Sequence, residues 1–222
     1  MNKKEKAKAI IDILKQRYDD AACALHYAKD YELMIAVRLS AQCTDARVNL
    51  VTPALFAAYP TLEAMAAADI ADVENYVRSC GFYKHKARDI VLACQMLLTD
   101  YGGKVPGTME ELLRLPGVGR KTANLLLGDL YAVPGSVVCD THCIRICGRL
   151  GMYPTSLKDP HRVEKILCGI VQPEKQSDFC HRIVQFGRDT CIARAPQCRN
   201  CPLAHLCPYP EGEGAPKAEK TT

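Results

Sequence analysis

The stretch Leu115-Pro-Gly-Val-Gly-Arg-Lys-Thr-Ala-Asn124, called the hairpin below, lies between two segments whose apolar residues recur at helical spacing. Pro116 and Gly117 suit a tight turn, and Gly119 lets the backbone approach a ligand closely. The next helix is predicted to begin near Arg120, so its unpaired first-turn amides and the positive end of its dipole point outward. The hairpin therefore predicts two helices joined by a turn that can bind a phosphate, although ordinary helix caps give similar patterns.

Lys121 lies in the first turn of this predicted helix, where a cation opposes the helix dipole at a cost of a few tenths to about 1 kcal/mol. A residue that breaks a local rule often marks a functional site. The dipole and the neighbouring Arg120 disfavour the charged ammonium, and a neutral amine is the nucleophile in Schiff-base chemistry. Lys121 is therefore a candidate nucleophile, and a solvated surface lysine is the simpler alternative.

Helical spacing of apolar residues continues through most of the chain. The clearest run extends from Tyr83 to Tyr101 and is stopped by two glycines. Thr108 and Glu111 fit a capping box that opens a short helix before the hairpin. Further runs that predict helices cover residues 48–59, 70–80, 123–131, 144–150, 163–170 and 179–187. No segment alternates convincingly as a strand, so we predict an all-α fold.

Composition limits the class of protein. The chain has 222 residues, 48% hydrophobic and 24% charged, which is typical of a globular protein with one large or two small domains. The net charge of +4 permits a polyanionic partner without requiring one. There is no run of roughly 18 apolar residues and no secretory leader, so we expect a soluble cytoplasmic protein with no membrane partner. Residues 209–222 are predicted to form a disordered tail.

The chain contains 13 cysteines, although a reducing cytosol does not favour disulfides. Cys191, Cys198, Cys201 and Cys207 follow the spacing C-x6-C-x2-C-x5-C within one short segment, called the cysteine loop below. Four thiolates on one loop can converge on a single inorganic centre. Zinc and a [4Fe–4S] cluster both accept four thiolates, and the spacing alone does not decide between them. The other cysteines lie mostly at apolar helical positions, where we expect small buried hydrophobes.

Asp140 comes directly before the helical pattern that begins near Thr141. As an N-cap it would accept hydrogen bonds from first-turn amides and remain ionised, and this role alone would explain an aspartate. A rigidly held carboxylate can also stabilise an oxocarbenium ion or deprotonate a nucleophile. Asp140 is therefore a second catalytic candidate, and His142 is predicted to be a local hydrogen-bonding partner.

Together these segments resemble the endonuclease III family, bifunctional DNA glycosylases and abasic-site lyases of the helix–hairpin–helix superfamily. The resemblance covers roughly residues 1–208 and rests on four segments in the family's order. They are Leu39-Ser-Ala-Gln-Cys-Thr-Asp45, the hairpin, Val138-Cys-Asp-Thr-His142 and the cysteine loop.

The resemblance implies two helical lobes with a DNA-binding cleft between them. One lobe is a six-helix barrel, residues 24–134, with the helix–hairpin–helix at about 109–131. The other lobe joins residues 1–23 to 135–208 and carries a [4Fe–4S] cluster, chiefly structural, on the four cysteines of the loop.

The same resemblance implies base-excision repair of oxidised pyrimidines in double-stranded DNA. Lys121 is expected to attack C1′ of the damaged nucleotide while Asp140 stabilises the developing positive charge. The resulting Schiff base then allows β-elimination at the abasic site. We expect a monomer that joins the nucleoid when it binds DNA.

Several DNA contacts are also implied by the resemblance. Gln42 matches a residue that enters the space left by an extruded nucleotide, and Phe82 matches an apolar wedge on the opposite strand. Lys84, Lys86 and Arg88 are predicted to hold phosphates, or else to form a solvated basic helix face. Other expected contacts come from the hairpin, the segment after Asp140 and the cysteine loop, namely Leu115, Gly117, Gly119, Arg120, His142 and Arg194.

Three other functions fit parts of the pattern. A monofunctional adenine glycosylase of the same superfamily typically lacks the hairpin lysine and carries a glutamate in the segment equivalent to 39–45, which has none here. A non-catalytic helix–hairpin–helix DNA-binding protein would not need both Lys121 and Asp140. An electron carrier would use the cluster but would leave the hairpin without a purpose.

Overall fold

The computed structural model describes residues 1–209, and residues 210–222 of the predicted tail lie outside the described part. Between residues 1 and 209 there are eleven α-helices, four short 3₁₀ turns and no β-strand, which confirms the all-α prediction. None of the described helices is long and apolar enough to span a bilayer. The helices are α1 Lys3–Arg17, α2 Asp30–Ser40, α3 Asp45–Ala58, α4 Leu62–Ala66, α5 Ile70–Val77, α6 Tyr83–Asp100, α7 Met109–Leu112, α8 Arg120–Tyr131, α9 Thr141–Arg149, α10 Pro160–Ile170 and α11 Gln176–Asp189.

The backbone contacts divide the chain into two compact units. The hairpin unit comprises residues 23–131 and contains α2 to α8. The cysteine-loop unit joins residues 1–22 to residues 132–209, as far as the structure describes the chain, and contains α1 and α9 to α11.

In the hairpin unit, α6 is the central helix, and both α4 and α5 pack against it. Its buried face contains Ile90, Val91, Cys94 and Leu97, at the spacing that predicted the helix. Helix α2 is buried along nearly its whole length and packs against α3, α6 and α8. Each large apolar side chain buried in this way contributes roughly 1.5–3 kcal/mol relative to exposure.

The cysteine-loop unit is built around the pair α9 and α11. Cys143 and Ile146 of α9 are fully buried, as is Ile183 of α11. A Cβ on Gly187 would overlap His142 Nδ1 and would lie 2.7 Å from Ile146 Cδ1, so a glycine is needed where the two helices approach. Helix α1 packs against α10 and α11.

Two smaller predictions are also decided by the structure. Six of the nine cysteines outside the cysteine loop are buried, as expected of small hydrophobes, namely Cys80, Cys94, Cys139, Cys143, Cys147 and Cys180. The Thr108 capping box is only half formed. Thr108 Oγ1 accepts from the Glu111 amide at 3.3 Å, but the Glu111 carboxylate accepts from the Thr108 hydroxyl at 2.6 Å instead of from its backbone amide.

Candidate functional site

The hairpin joins α7 to α8 by a tight turn. The Val118 amide donates to the Leu115 carbonyl at 3.1 Å, and both of these side chains are buried. Gly117 has φ +76, a left-handed conformation that disfavours any residue with a Cβ. Helix α8 begins at Arg120 as predicted, and its first turn is closed by the Ala123 amide, which donates to the Gly119 carbonyl at 2.9 Å.

An ion pair lies directly beneath this turn. Arg38 of α2 donates to Asp89 Oδ2 of α6 through Nη2 at 2.6 Å and through Nε at 3.0 Å. A Cβ on Gly117 would overlap Arg38 Nε and lie 2.9 Å from Asp89 Oδ2. This ion pair was not predicted, although an arginine within the apolar run of α2 was an available signal.

Lys121 and Arg120 are both exposed on the first turn of α8. A Cβ on the neighbouring Gly119 would meet no atom within 4 Å, so open space adjoins this helix terminus. The structure therefore leaves the Lys121 amine accessible to a large substrate. Its role as a nucleophile stays a prediction.

Asp140 is the N-cap of α9, as predicted. Its Oδ1 accepts from the Cys143 amide at 2.7 Å, and the residue is partly exposed. One turn later Arg145 lies 3.2 Å from His142 Nδ1, which confirms a local hydrogen-bonding role for His142. Burial lowers the pKa of Arg145, whereas the Coulombic attraction of Cys191 and of Asp140 raises it. The catalytic role of Asp140 stays a prediction.

Gln42 and Phe82 lie on neighbouring segments of the hairpin unit. Both are exposed, and both have positive φ, 55° for Gln42 and 47° for Phe82. A Cβ built on Gly81 would lie 3.9 Å from the Gln42 carbonyl oxygen, so the two segments adjoin. Their proposed insertion into DNA stays a prediction.

The prediction that Lys86 holds a phosphate is wrong. Lys86 is only 1% exposed, and its ammonium donates to the carbonyls of Leu39, at 2.8 Å, and Cys80. Burial lowers the pKa of Lys86. Helical periodicity places Lys86 on the apolar face that includes Ile90, which was an available sign that its side chain is buried. Lys84 and Arg88 are exposed and stay candidates for phosphate contacts.

The four cysteines of the cysteine loop line one pocket, together with residues that include Arg149, Phe186 and Thr190. The loop contains two 3₁₀ turns, Cys198–Asn200 and Ala204–Leu206, and Leu203 is its one buried residue. Within residues 1–209, no three histidine, cysteine, aspartate or glutamate side chains are grouped as a site for a single metal ion. Four thiols around one pocket nevertheless form a donor set that suits a metal centre.

Arg149 of α9 donates hydrogen bonds to the cysteine loop, and this support was not predicted from the sequence. Its Nη1 donates to Cys191 Sγ at 3.4 Å and to the Ile192 carbonyl at 3.0 Å, and Nη2 donates to the Ala193 carbonyl at 2.7 Å. These three hydrogen bonds tie the end of α9 to the beginning of the cysteine loop. Arg194 is exposed on the same loop.

Comparison with known proteins agrees with this architecture. A family model described as HhH-GPD superfamily base excision DNA repair protein matches residues 35–173. Endonuclease III of Synechocystis sp. is 44% identical over 93% of this chain and 94% of its own length. Endonuclease III of Bacillus subtilis is 41% identical over 89% of each chain. The Escherichia coli enzyme is 37% identical over 95% of this chain and 98% of its own.

Solved structures give the same result. The structure of a trapped endonuclease III–DNA covalent intermediate matches with a TM-score of 0.87 and 42% identity, over 95% of this chain and 98% of that one. A thermostable thymine-DNA glycosylase, at 20% identity and a TM-score of 0.84, shares the fold. This chain therefore belongs to the endonuclease III family of the HhH-GPD superfamily of base excision DNA repair proteins.

Proposed function

We propose that this DNA glycosylase and abasic-site lyase acts on oxidised pyrimidines in duplex DNA through a Schiff base formed by Lys121. The observation that carries the proposal is the exposed Lys121 amine on the first turn of α8, beside a turn with open space around Gly119. The similar endonuclease III that was trapped as a covalent intermediate with DNA supports the same chemistry.

The hairpin is proposed to hold a phosphate of the DNA backbone. First-turn amides of α8 and the helix dipole attract an anion, and the absence of a side chain at Gly119 lets the backbone come close to it. Leu115 and Gly117 fix the turn, because Leu115 is buried and Gly117 adopts a positive φ that suits glycine. Arg120 is proposed to complete the contact. A phosphate fixed here brings the DNA backbone close to Lys121.

The reaction proceeds in two stages. The Lys121 amine forms a bond to C1′ as the N-glycosidic bond breaks, and the base leaves with the bonding electron pair. The Asp140 carboxylate stabilises the positive charge that develops on the sugar. The C1′–O4′ bond of the sugar ring then breaks, O4′ takes a proton, and C1′ becomes a protonated imine with Lys121. This imine acidifies the C2′ hydrogen, and loss of that proton expels the 3′ phosphate by β-elimination. Water finally hydrolyses the imine and restores the amine.

Extrusion of the damaged nucleotide has to precede this chemistry, at a cost of a few kcal/mol. Gln42 fills the vacated space and Phe82 inserts on the opposite strand, because an exposed aromatic ring can stack on an unpaired base. Lys84 and His142 are proposed as further DNA contacts. The protein is proposed to act as a monomer on chromosomal DNA.

A [4Fe–4S] cluster is proposed on Cys191, Cys198, Cys201 and Cys207. All four cysteines line one pocket, and four thiolates are the donor set of such a cluster; the family resemblance favours the cluster over zinc. When bound, the cluster supplies four metal–thiolate bonds that hold the loop. Arg194 is thereby presented to the DNA backbone, and no step of base removal passes through the metal.

Borohydride trapping tests the nucleophile. Reduction of the imine during reaction with abasic-site DNA should join the protein covalently to DNA, and Lys121→Gln should abolish the adduct. Lys104→Gln, at an exposed lysine of the same unit, is the matched control and should trap normally. If Lys121→Gln traps as well as the control, another amine is the nucleophile. A panel of lesions in defined duplexes then tests the preference for oxidised pyrimidines.

A further inference from the structure

The two candidate insertion residues share a backbone conformation that L-residues avoid. Gln42 and Phe82 both lie in the left-handed region, and such conformations persist where surrounding structure fixes them. Phe82 is 63% exposed, so packing of its own side chain does little to hold it. The restraint must therefore act on the backbone that leads into each residue.

Lys86 supplies that restraint. Its buried ammonium donates to the Leu39 carbonyl at 2.8 Å and to the Cys80 carbonyl. Leu39 lies shortly before Gln42, and Cys80 lies shortly before Phe82. One buried side chain thus bridges the two segments that carry the insertion residues.

The bridge is electrostatically suited to a cation. Leu39 belongs to the last turn of α2, and Cys80 ends the 3₁₀ turn that follows α5, so both carbonyls lie at helix C-termini. The negative end of a helix dipole favours a positive charge there. Burial lowers the pKa of Lys86, whereas the thiols of Cys43 and Cys80 act to raise it and Arg38 lowers it further.

The backbone of Lys86 is also hydrogen-bonded to Phe82, the proposed wedge. Its amide donates to the Phe82 carbonyl at 3.1 Å, in the first turn of α6. The Gly81 backbone adjoins the Gln42 carbonyl. The separation between the two exposed side chains is therefore set by groups that converge on Lys86.

We propose that Lys86 is a positioning residue that holds Gln42 and Phe82 at a fixed separation, so that both enter duplex DNA together. This proposal rests on the insertion roles given under the proposed function. Without the ammonium the two segments can move independently. Removal of Lys86 should then impair reactions that require extrusion of a nucleotide more than reactions that do not.

The test compares one lesion in two settings, a fully paired duplex and an unpaired bubble in which the nucleotide is already unstacked. In Lys86→Met, the ratio of duplex to bubble kcat/KM should fall by about 10- to 100-fold, as expected when reacting groups are misplaced. Lys104→Met, at an exposed lysine of the same unit, should keep the wild-type ratio. General destabilisation lowers both activities alike, so an unchanged ratio in Lys86→Met overturns the proposal.

If Lys86→Met does not fold, Lys86→Gln replaces it. The shorter amide cannot reach both carbonyls, so its duplex-to-bubble ratio should also fall, and a wild-type ratio overturns the proposal. Adding Lys86→Met to the double variant Gln42→Ala/Phe82→Ala should lower the ratio no further, because Lys86 acts through those two residues. A further loss in the triple variant contradicts a positioning role.

The same variants separate this proposal from the proposed function. If wild type is active but Gln42→Ala and Phe82→Ala both keep its duplex-to-bubble ratio, the insertion roles are wrong, and the positioning role fails with them. If those two variants lower the ratio while Lys86→Met does not, the insertion roles stand and only the positioning role of Lys86 is rejected.

Discussion

The hairpin and the cysteine loop are both proposed to contact DNA, but they are held in different ways. The hairpin is fixed by packing, because Leu115 and Val118 are buried and the Arg38–Asp89 ion pair supports the turn. The cysteine loop has one buried residue, Leu203, and four thiols around a pocket. A short DNA-binding segment can thus be ordered either by an apolar core or by metal–ligand bonds, and the two should fail under different perturbations.

The largest expected effect comes from removing one thiol of the cysteine loop. Cys201→Ser should lose bound iron and the visible absorbance of the cluster, because three thiolates do not complete the ligand set. Hydrogen exchange at the Cys191 and Gln197 amides should then accelerate strongly, since structural metal binding is itself a source of folding free energy. The amides of the hairpin should keep their protection.

Cys168→Ser is the control for this experiment, because Cys168 lies in the same unit but outside the loop and donates to the Gly135 carbonyl, a bond that serine can keep. Cys168→Ser should retain iron and show wild-type hydrogen exchange at the Cys191 and Gln197 amides. Full iron content in Cys201→Ser would show that the four cysteines do not form one site.

A methyl group added to the hairpin should have a smaller effect, here on the free energy of unfolding. Gly117→Ala places a Cβ at φ +76 and 2.7 Å from Arg38 Cδ, so it should lower the free energy of unfolding by about 1–3 kcal/mol. Gly119→Ala meets no neighbour within 4 Å and should cost no more than about 1 kcal/mol as an N-cap change. Denaturant unfolding measures both.

For DNA affinity we expect the reverse order, with the larger loss in Gly119→Ala and the smaller loss in Gly117→Ala. Gly119→Ala should bind abasic-site DNA more weakly than its stability predicts, because the methyl group lies where the phosphate is proposed to approach. Equal DNA affinity for Gly119→Ala and wild type would remove the proposed phosphate contact from this turn, whatever the result for Gly117→Ala.

Cysteines of the two regions should also differ in their response to alkali. Burial raises the pKa of Cys94, in the core of the hairpin unit, from 9.0 to about 12. A raised folded-state pKa means that the unfolded chain loses its proton first, so stability is complete below pH 9 and is lost as pH rises towards 12. The loss should be about 1.4 kcal/mol per pH unit. The free energy of unfolding, measured by denaturant unfolding between pH 9 and 12, should therefore fall less steeply with pH in Cys94→Ala. Thr99→Ala, at an exposed position of the same helix, should keep the wild-type slope.

An unchanged slope in Cys94→Ala would show that this thiol does not control alkaline stability. Cys23 and Cys80 also have pKa values raised to about 11, mainly by burial, so some slope should persist in the variant. Thiols in the core of the hairpin unit are therefore expected to act as neutral hydrophobes. Those of the cysteine loop are proposed to work as ionised ligands.

Local signals made most of this architecture predictable. The apolar period of α6 and the Asp140 cap each depend on residues close together in sequence, and both predictions are confirmed. The Arg38–Asp89 pair and the bond from Lys86 to Leu39 join residues far apart in sequence, and a single sequence gives no direct sign of such pairings. A basic residue on an apolar helical face, as at Lys86, was the one available indication.

The smallest expected effect concerns the charge of the cysteine loop. Arg194 is exposed and is proposed to contact one phosphate, so the loop is expected to add little to DNA affinity. Arg194→Ala should weaken binding only a few-fold. It should reduce the salt dependence by about 0.9 in log Kd per log salt, the value for one phosphate contact.

Ala195→Lys makes the opposite change and should steepen the salt dependence by a similar amount, with tighter binding at low salt. Gln197 is the less suitable position for this gain, because its side chain donates to the Asp189 carbonyl at 2.9 Å and supports the loop. If Ala195→Lys leaves the salt dependence unchanged, the cysteine loop lies away from the phosphates. The hairpin would then be the main backbone contact of this protein.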